Sequence, residues 1–272
     1  MKQLPLIAGT LYCEPWGILP SAHASLSQQF RAHLERGRDL AAADSPVGTP
    51  FTPQIEVFGS VALARVHGII GKHLSFIESA CGGFDLETFE EQLGNVKDDP
   101  AIKTLVIDFR TPGGRVIGME SAALAIREVS ESGKKVIGYT SELCASCGYW
   151  LACACDEFYA EGSAIVGSIA TICAMVDSSR AWEMEGLELK LFTTGPLKAV
   201  GVEGKKWTKE DEEFVRQRMQ GIDKDFKSFV SARRGLGDDL MTGAHWYAKH
   251  APAGLIDGQF RTLQDVLEAV LS

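Results

Sequence analysis

A hydroxyl becomes a useful nucleophile when a base can take its proton and hydrogen-bond donors can hold the oxyanion it creates. The chain carries candidates for each part. Cys144-Ala-Ser-Cys-Gly-Tyr149 sets Ser146 between a β-like run and an apolar helix. At that helix N-terminus, free N–H groups and the dipole favour an anion. Thr111-Pro-Gly-Gly114 follows another β-like run, and its two glycines let backbone N–H groups face a ligand with no Cβ in the way. Gly195-Pro-Leu-Lys198 brings an amine flanked by Leu197, Ala199 and Val200. Apolar surroundings of that kind supply the neutral amine a base requires. Gly162-Ser-Ala-Ile-Val-Gly-Ser168 adds a second hydroxyl able to orient the amine. Each feature also has a plainer description: a Pro-Gly turn, an N-cap serine, a solvated lysine, a small-residue loop against a sheet.

The elements that must position these residues alternate. Apolar β-like runs at 61–66, 104–109, 135–139, 157–160 and 189–193 predict strands. Helical periodicity predicts helices over 86–96, 118–130, 146–154, 208–234 and 262–271. Alternation of this kind implies an α/β domain with a largely parallel sheet, with its chemistry at the C-terminal ends of the strands. Ahead of it, Leu26, Phe30 and Leu34 predict an amphipathic helix over 22–40, and 41–53 reads as a Pro-rich linker. The expected division is therefore an N-terminal segment and linker over 1–53, acting as a propeptide or assembly arm, and a catalytic domain over 54–272.

Composition narrows the class. The 272 residues are 45% hydrophobic, enough for a sizeable core, and carry a net charge of −9. An acidic chain lacks the clustered cations that phosphate contacts need, so no nucleic-acid partner is expected. Seven cysteines, an odd number, and an N-terminus too weakly apolar for a secretory leader predict reduced thiols in the cytoplasm. No run of about 18 apolar residues occurs, so no membrane span is expected.

Taken in order, Val66-His67-Gly68, Thr111-Pro-Gly-Gly114, Ala145-Ser-Cys-Gly-Tyr149, Gly167-Ser-Ile-Ala170 and Gly195-Pro-Leu-Lys198 resemble the signature of signal peptide peptidase A and the related phage head-maturation, or capsid assembly, proteases. Phe229-Val-Ser-Ala-Arg-Arg234 and Ala253-Gly-Leu-Ile-Asp257 resemble that family's closing helix and turn, and the resemblance covers about 57–260. It implies a Clp-protease/crotonase-like fold with an N-terminal helical appendage, and an ATP-independent Ser-Lys dyad. In that dyad Ser146 is the nucleophile, Lys198 the general base and Ser168 the residue orienting the lysine. The backbone N–H groups of Gly114 and Cys147, with Gly113 beside them, form the oxyanion hole. Thr111, Cys147 and Ala170 depart from the pattern's Ser, Gly and Gly, and the Cys147 side chain is expected to narrow the pocket. The resemblance further implies a homo-oligomeric ring in which the lysine can come from a neighbour, protein substrates such as scaffold and capsid proteins, and no cofactor or metal. The opening Pro15-Trp-Gly-Ile-Leu-Pro20 looks like the start of the phage proteases, and the alternative within the family is a cytosolic signal peptide peptidase-like enzyme.

Rival readings use other residues. A crotonase-type acyl-CoA enzyme needs paired carboxylates near the glycines, where Asp108 is close and Glu120 and Glu128 are less suitably placed. A redox or zinc site would use Cys144, Cys147, Cys153 and Cys155, which on one continuous helix do not face a common point. A silent assembly module is the non-enzyme rival. No Walker sequence and no HExxH occurs.

Overall fold

The computed structural model describes residues 14–35, 55–74, 78–79 and 82–271. The linker 41–53 lies outside them, as does the predicted helix beyond 35. At the N-terminus a short strand β1 (Trp16–Ile18) leads into helix α1 (Pro20–Glu35).

The body is α/β, as expected. Its central sheet is built from β2 (Glu56–Phe58), β3 (Val61–His67), β6 (Thr104–Arg110), β8 (Lys135–Thr140), β10 (Glu157–Ala160) and β13 (Gly258–Gln259). The spatial order is β13-β10-β8-β6-β3-β2, parallel throughout except for the edge strand β2. Side chains on strands alternate between faces. Ala62, Ala64, Val66, Leu105, Ile107 and Phe109 therefore enter the main core, while Val61, Leu63 and Val106 face a second cluster closed by Val266. Burial on both faces explains why β3 and β6 read as nearly continuous apolar runs.

Helices α2 (Leu86–Asp98), α3 (Met119–Glu131), α4 (Cys147–Ala154) and α6 (Lys209–Arg234) contribute to the main core, and α7 (Leu263–Leu271) covers the other face. A shorter helix, α5 (Ser179–Met184), precedes α6. Local signals set the helix ends. Asp85 accepts from the N–H groups of Glu87 and Thr88 to start α2, and Thr208 with Asp211 forms a capping box on α6. Trp150 of α4 stacks on Phe226 of α6 with ring centroids 4.6 Å apart.

Two smaller sheets stand at the C-terminal ends of the central strands. One has the order β1-β7-β4-β5, with β4 (Ile69–Gly71), β5 (Gly83–Asp85) and β7 (Gly113–Arg115). The other has the order β12-β11-β9, with β9 (Leu143–Ala145), β11 (Ile165–Gly167) and β12 (His245–Tyr247). The strand expected at 189–193 does not form. That segment is irregular and exposed, with Phe192 94% accessible. Its alternating pattern meets no sheet edge among the described residues, and a strand without an edge to pair with does not persist.

Candidate active site

The site grows from two parallel strands. Ala145 of β9 lies opposite Gly167 of β11. Each strand gives way one residue later to a serine with left-handed backbone, Ser146 at φ 54° and Ser168 at φ 57°. A non-glycine residue held there costs about 1 kcal/mol or more, so its surroundings must impose it. For Ser146 the clamps are visible: its N–H donates to Gly167 O at 2.8 Å, and its carbonyl accepts from Trp150 N at 2.9 Å. The hydroxyl does not cap α4 and instead donates to the Ala170 carbonyl at 3.2 Å. The N-cap description of this serine therefore does not apply.

Beside it, the loop before β7 is locked to β9. Thr111 N donates to Leu143 O at 2.8 Å, and Ala145 N donates to Thr111 O at 3.1 Å. Threonine in place of serine keeps the turn, since Gly113 N–H donates to Thr111 Oγ1 at 3.1 Å. That bond engages the Gly113 amide. Of the two glycines, Gly114 is the one whose N–H approaches the start of α4, where it meets the Cys147 thiol. Gly113 has φ 102°, and a Cβ there would lie 2.0 Å from the Gly17 carbonyl oxygen. On α4, a Cβ at Gly148 would come within 2.4 Å of Thr111 Cγ2, so this glycine lets the helix start close against the loop.

Cys147 is fully buried, and burial pushes its thiol up to about 12, against a smaller opposing pull from the Gly114 and Gly17 amides. It stays neutral at physiological pH. Cys144, Cys153 and Cys155 are likewise free and buried. Among the described residues, no three His, Cys, Asp or Glu side chains converge in a metal-ligand cluster.

Lys198 stands apart from this arrangement. It lies in the 3-10 turn Pro196–Ala199, which buries Ala199 and leaves Lys198 exposed. With three residues per turn, neighbouring side chains point in different directions, so the apolar residues flanking the lysine in sequence do not enclose it. Among the described residues no hydrogen bond or ion pair joins Lys198 to Ser146 or Ser168. Ser168 is 4% exposed; its N–H donates to Ala244 O, and its hydroxyl takes part in no hydrogen bond among the described residues.

Two of the three acids of the rival reading are committed elsewhere. Asp108 is buried at the end of β6, with Oδ2 2.8 Å from His67 Nε2. Glu128 pairs with Lys97. Among the described residues no hydrogen bond connects the His67–Asp108 pair to Ser146.

Sequence reasoning missed β1. Trp16–Ile18 runs antiparallel to Gly113–Arg115, with Gly17 opposite Gly114. Its other edge bridges Ile172 through two hydrogen bonds of 2.7 Å. A Cβ on Gly17 would lie 2.4 Å from Cys147 Sγ, 3.3 Å from Ser146 Oγ and 3.4 Å from Cys147 N. Under this cover Ser146 is 0% exposed. Three residues carry too little periodicity to announce a strand; Trp16, which reads as an aromatic anchor, is the single sequence signal.

The site thus sets a strained serine between a parallel strand and a helix, beside a glycine loop at the C-terminal edge of an α/β sheet. The sequence profile of Peptidase family S49 matches residues 128–270, and the chain belongs to that family. Membership goes with the Clp-protease/crotonase-like fold that the motifs implied. The chain is 27% identical over 166 residues to the probable protease SohB of Haemophilus influenzae, covering 60% of this chain and 47% of that one. It is 26% identical over 202 residues to capsid assembly protease C of Escherichia phage lambda, covering 74% and 46%. It is also 33% identical over 168 residues to the Na(+)/H(+) antiporter NhaA of Brucella abortus, covering 60% of this chain but 22% of that protein. The chain thus spans half or less of the length of these three relatives. No described helix is long and apolar enough to cross a membrane. Among solved structures, an enoyl-CoA hydratase/isomerase family member overlays with a TM-score of 0.46 at 12% identity, covering 80% of this chain and 74% of that one.

Proposed function

We propose that the chain is a serine endopeptidase in which Ser146 is the nucleophile and Lys198, supplied by a neighbouring copy, is the general base. The observation that carries this reading is the backbone of Ser146, held at φ 54° with a hydroxyl that caps nothing. Strain of this kind is kept where the surroundings enforce it for a purpose. In the proposed reaction the Ser146 hydroxyl adds to the peptide carbonyl as its proton passes to Lys198 Nζ. The N–H groups of Gly114 and Cys147 take the oxyanion. Lys198 then returns the proton to the leaving amine, and water repeats the sequence on the acyl-enzyme. Ser168, next to Ser146 across the β9–β11 pair, orients the arriving amine. No nucleotide or metal enters these steps.

Exposed apolar side chains in the segment ahead of Lys198 support assembly. Met184, Leu187, Leu191 and Phe192 lie 80%, 50%, 40% and 94% exposed. Exposed apolar side chains favour contact with another copy, in a closed homo-oligomeric ring. Likeness to the lambda capsid assembly protease supports a head-maturation role on scaffold and capsid proteins, in the host cytoplasm or the procapsid. SohB likeness favours a signal peptide peptidase-like role as the second reading. The N-terminal segment 1–53 is proposed as an appendage to the catalytic domain 54–272.

Casein or scaffold-protein cleavage by wild type, Ser146→Ala and Lys198→Ala across about pH 6 to 10 tests the dyad. Cleavage by wild type alone, rising with a basic pKa, is expected. Undiminished cleavage by Ser146→Ala overturns the assignment.

A further inference from the structure

β1 lies where a polypeptide substrate would lie. It is extended, it adds antiparallel to the loop strand that carries the Gly114 amide, and its opposite edge is paired with Ile172. Its central residue sits above Ser146 Oγ and Cys147 N. Strand addition of this kind is a general mode of peptide recognition, with main-chain bonds giving affinity and side-chain pockets giving selectivity. We propose that Trp16–Ile18 is a resident pseudosubstrate, a strand that fills the peptide cleft over Ser146 and must leave before another polypeptide is cut. The proposal rests on the peptidase reading above.

Three further observations fit. First, the strand is fastened outside the main core. Trp16 and Ile18 form a small separate cluster with Ala22, Leu26, Ile69 and Ile172. Arg115 Nε adds a 2.9 Å hydrogen bond to Glu14 at the strand's upstream end. Releasing β1 therefore leaves the central sheet and its two cores intact. Second, the central position fits glycine closely. With Cys147 Sγ 2.4 Å from where a Cβ would be, any larger residue must displace the thiol or leave the cleft. Third, a cavity of about 210 Å³ lies beside the strand's upstream end, lined by Pro15 together with Cys173, Leu197 and Val200.

The selectivity this implies is for an extended segment with apolar residues on either side of a glycine. The cleft's own occupant, Trp16-Gly17-Ile18, has that form.

Gly17→Val in the full chain tests the proposal, with Trp16→Ser/Ile18→Ser as a second variant that weakens the anchor without a clash. Hydrogen exchange at Ile172, whose N–H donates to the Trp16 carbonyl at 2.7 Å, reports whether β1 has left. If the open state is a minor population, release raises casein kcat/KM by about 10- to 1000-fold. The synthetic peptide Glu-Pro-Trp-Gly-Ile-Leu-Pro is expected to inhibit the released variant, and the same peptide with Val for Gly is not. Faster exchange with casein cleavage no faster than wild type overturns the proposal and leaves the peptidase reading standing. So does failure of both variants to speed exchange, or of the Gly peptide to inhibit. If exchange rises but wild type and both variants neither cut casein nor label at Ser146 with a fluorophosphonate, the peptidase reading fails and the proposal falls with it.

Discussion

Two inactive variants should repair each other. Ser146 is buried at the head of α4, whereas Lys198 is exposed on a 3-10 turn and touches neither serine of its own chain. If the lysine serving each Ser146 belongs to the next copy, a ring built from Ser146→Ala and Lys198→Ala chains contains some complete sites. A site needs its serine from a Lys198→Ala chain and its lysine from a Ser146→Ala chain. With equal amounts and random assembly each condition holds half the time, so about a quarter of the wild-type rate returns in a closed ring. Each variant alone should fall by roughly four to six orders of magnitude, since groups that act as a unit fail together. The regained signal therefore stands far above background. Co-expression with two different affinity tags, tandem purification and a casein assay read the outcome directly. Doubly tagged assemblies that stay at the level of the single variants would refute the composite site, because a lysine acting within its own chain offers no route to repair.

Other outcomes follow from the packing. Asp257 Oδ2 accepts from Phe158 N at 2.7 Å and from Arg234, whose side chain is 6% exposed and stands 6.0 Å over the Phe158 ring. Asp257→Asn strands that buried guanidinium and should cost about 3 kcal/mol. For a chain of this size that is a Tm lower by roughly 6–12 °C, measured by thermal unfolding. Burial raises the thiols of Cys147 and Cys153 to about 12 and about 11, from an ordinary 9.0. Below pH 9 both the folded and the unfolded chain keep these protons. Above it the unfolded chain releases them first, so stability is present at low pH and lost as pH rises from 9 toward the folded values. The slope is about 1.4 kcal/mol per thiol per pH unit. Tm should be level from pH 7.5 to 8.5 and fall by pH 10.5, less steeply in Cys153→Ala; a level Tm throughout contradicts the burial argument.

Much of this protein is local, and local physics is legible along the chain. The two-sided burial of β3 and β6 makes them apolar runs, and the periodicity of 86–96 and 208–234 marks helices before any fold is known. The glycines at 113, 114 and 148, and the serines at 146 and 168, point to a site because their types are constrained by turns and close approach. What the sequence cannot express is which distant segments share an edge. The β9–β11 pairing that sets Ser146 beside Ser168 depends on tertiary contact, as does the engagement of the Gly113 amide by Thr111. The outward turn of Lys198 follows from a 3-10 geometry that the apolar neighbours in sequence conceal, and 189–193 stays irregular because no edge among the described residues receives it. β1 is the clearest case. Nothing in Trp-Gly-Ile declares a strand, and the missing Cβ of Gly17 acquires meaning only when Cys147 and Ser146 are brought beneath it, more than a hundred residues away.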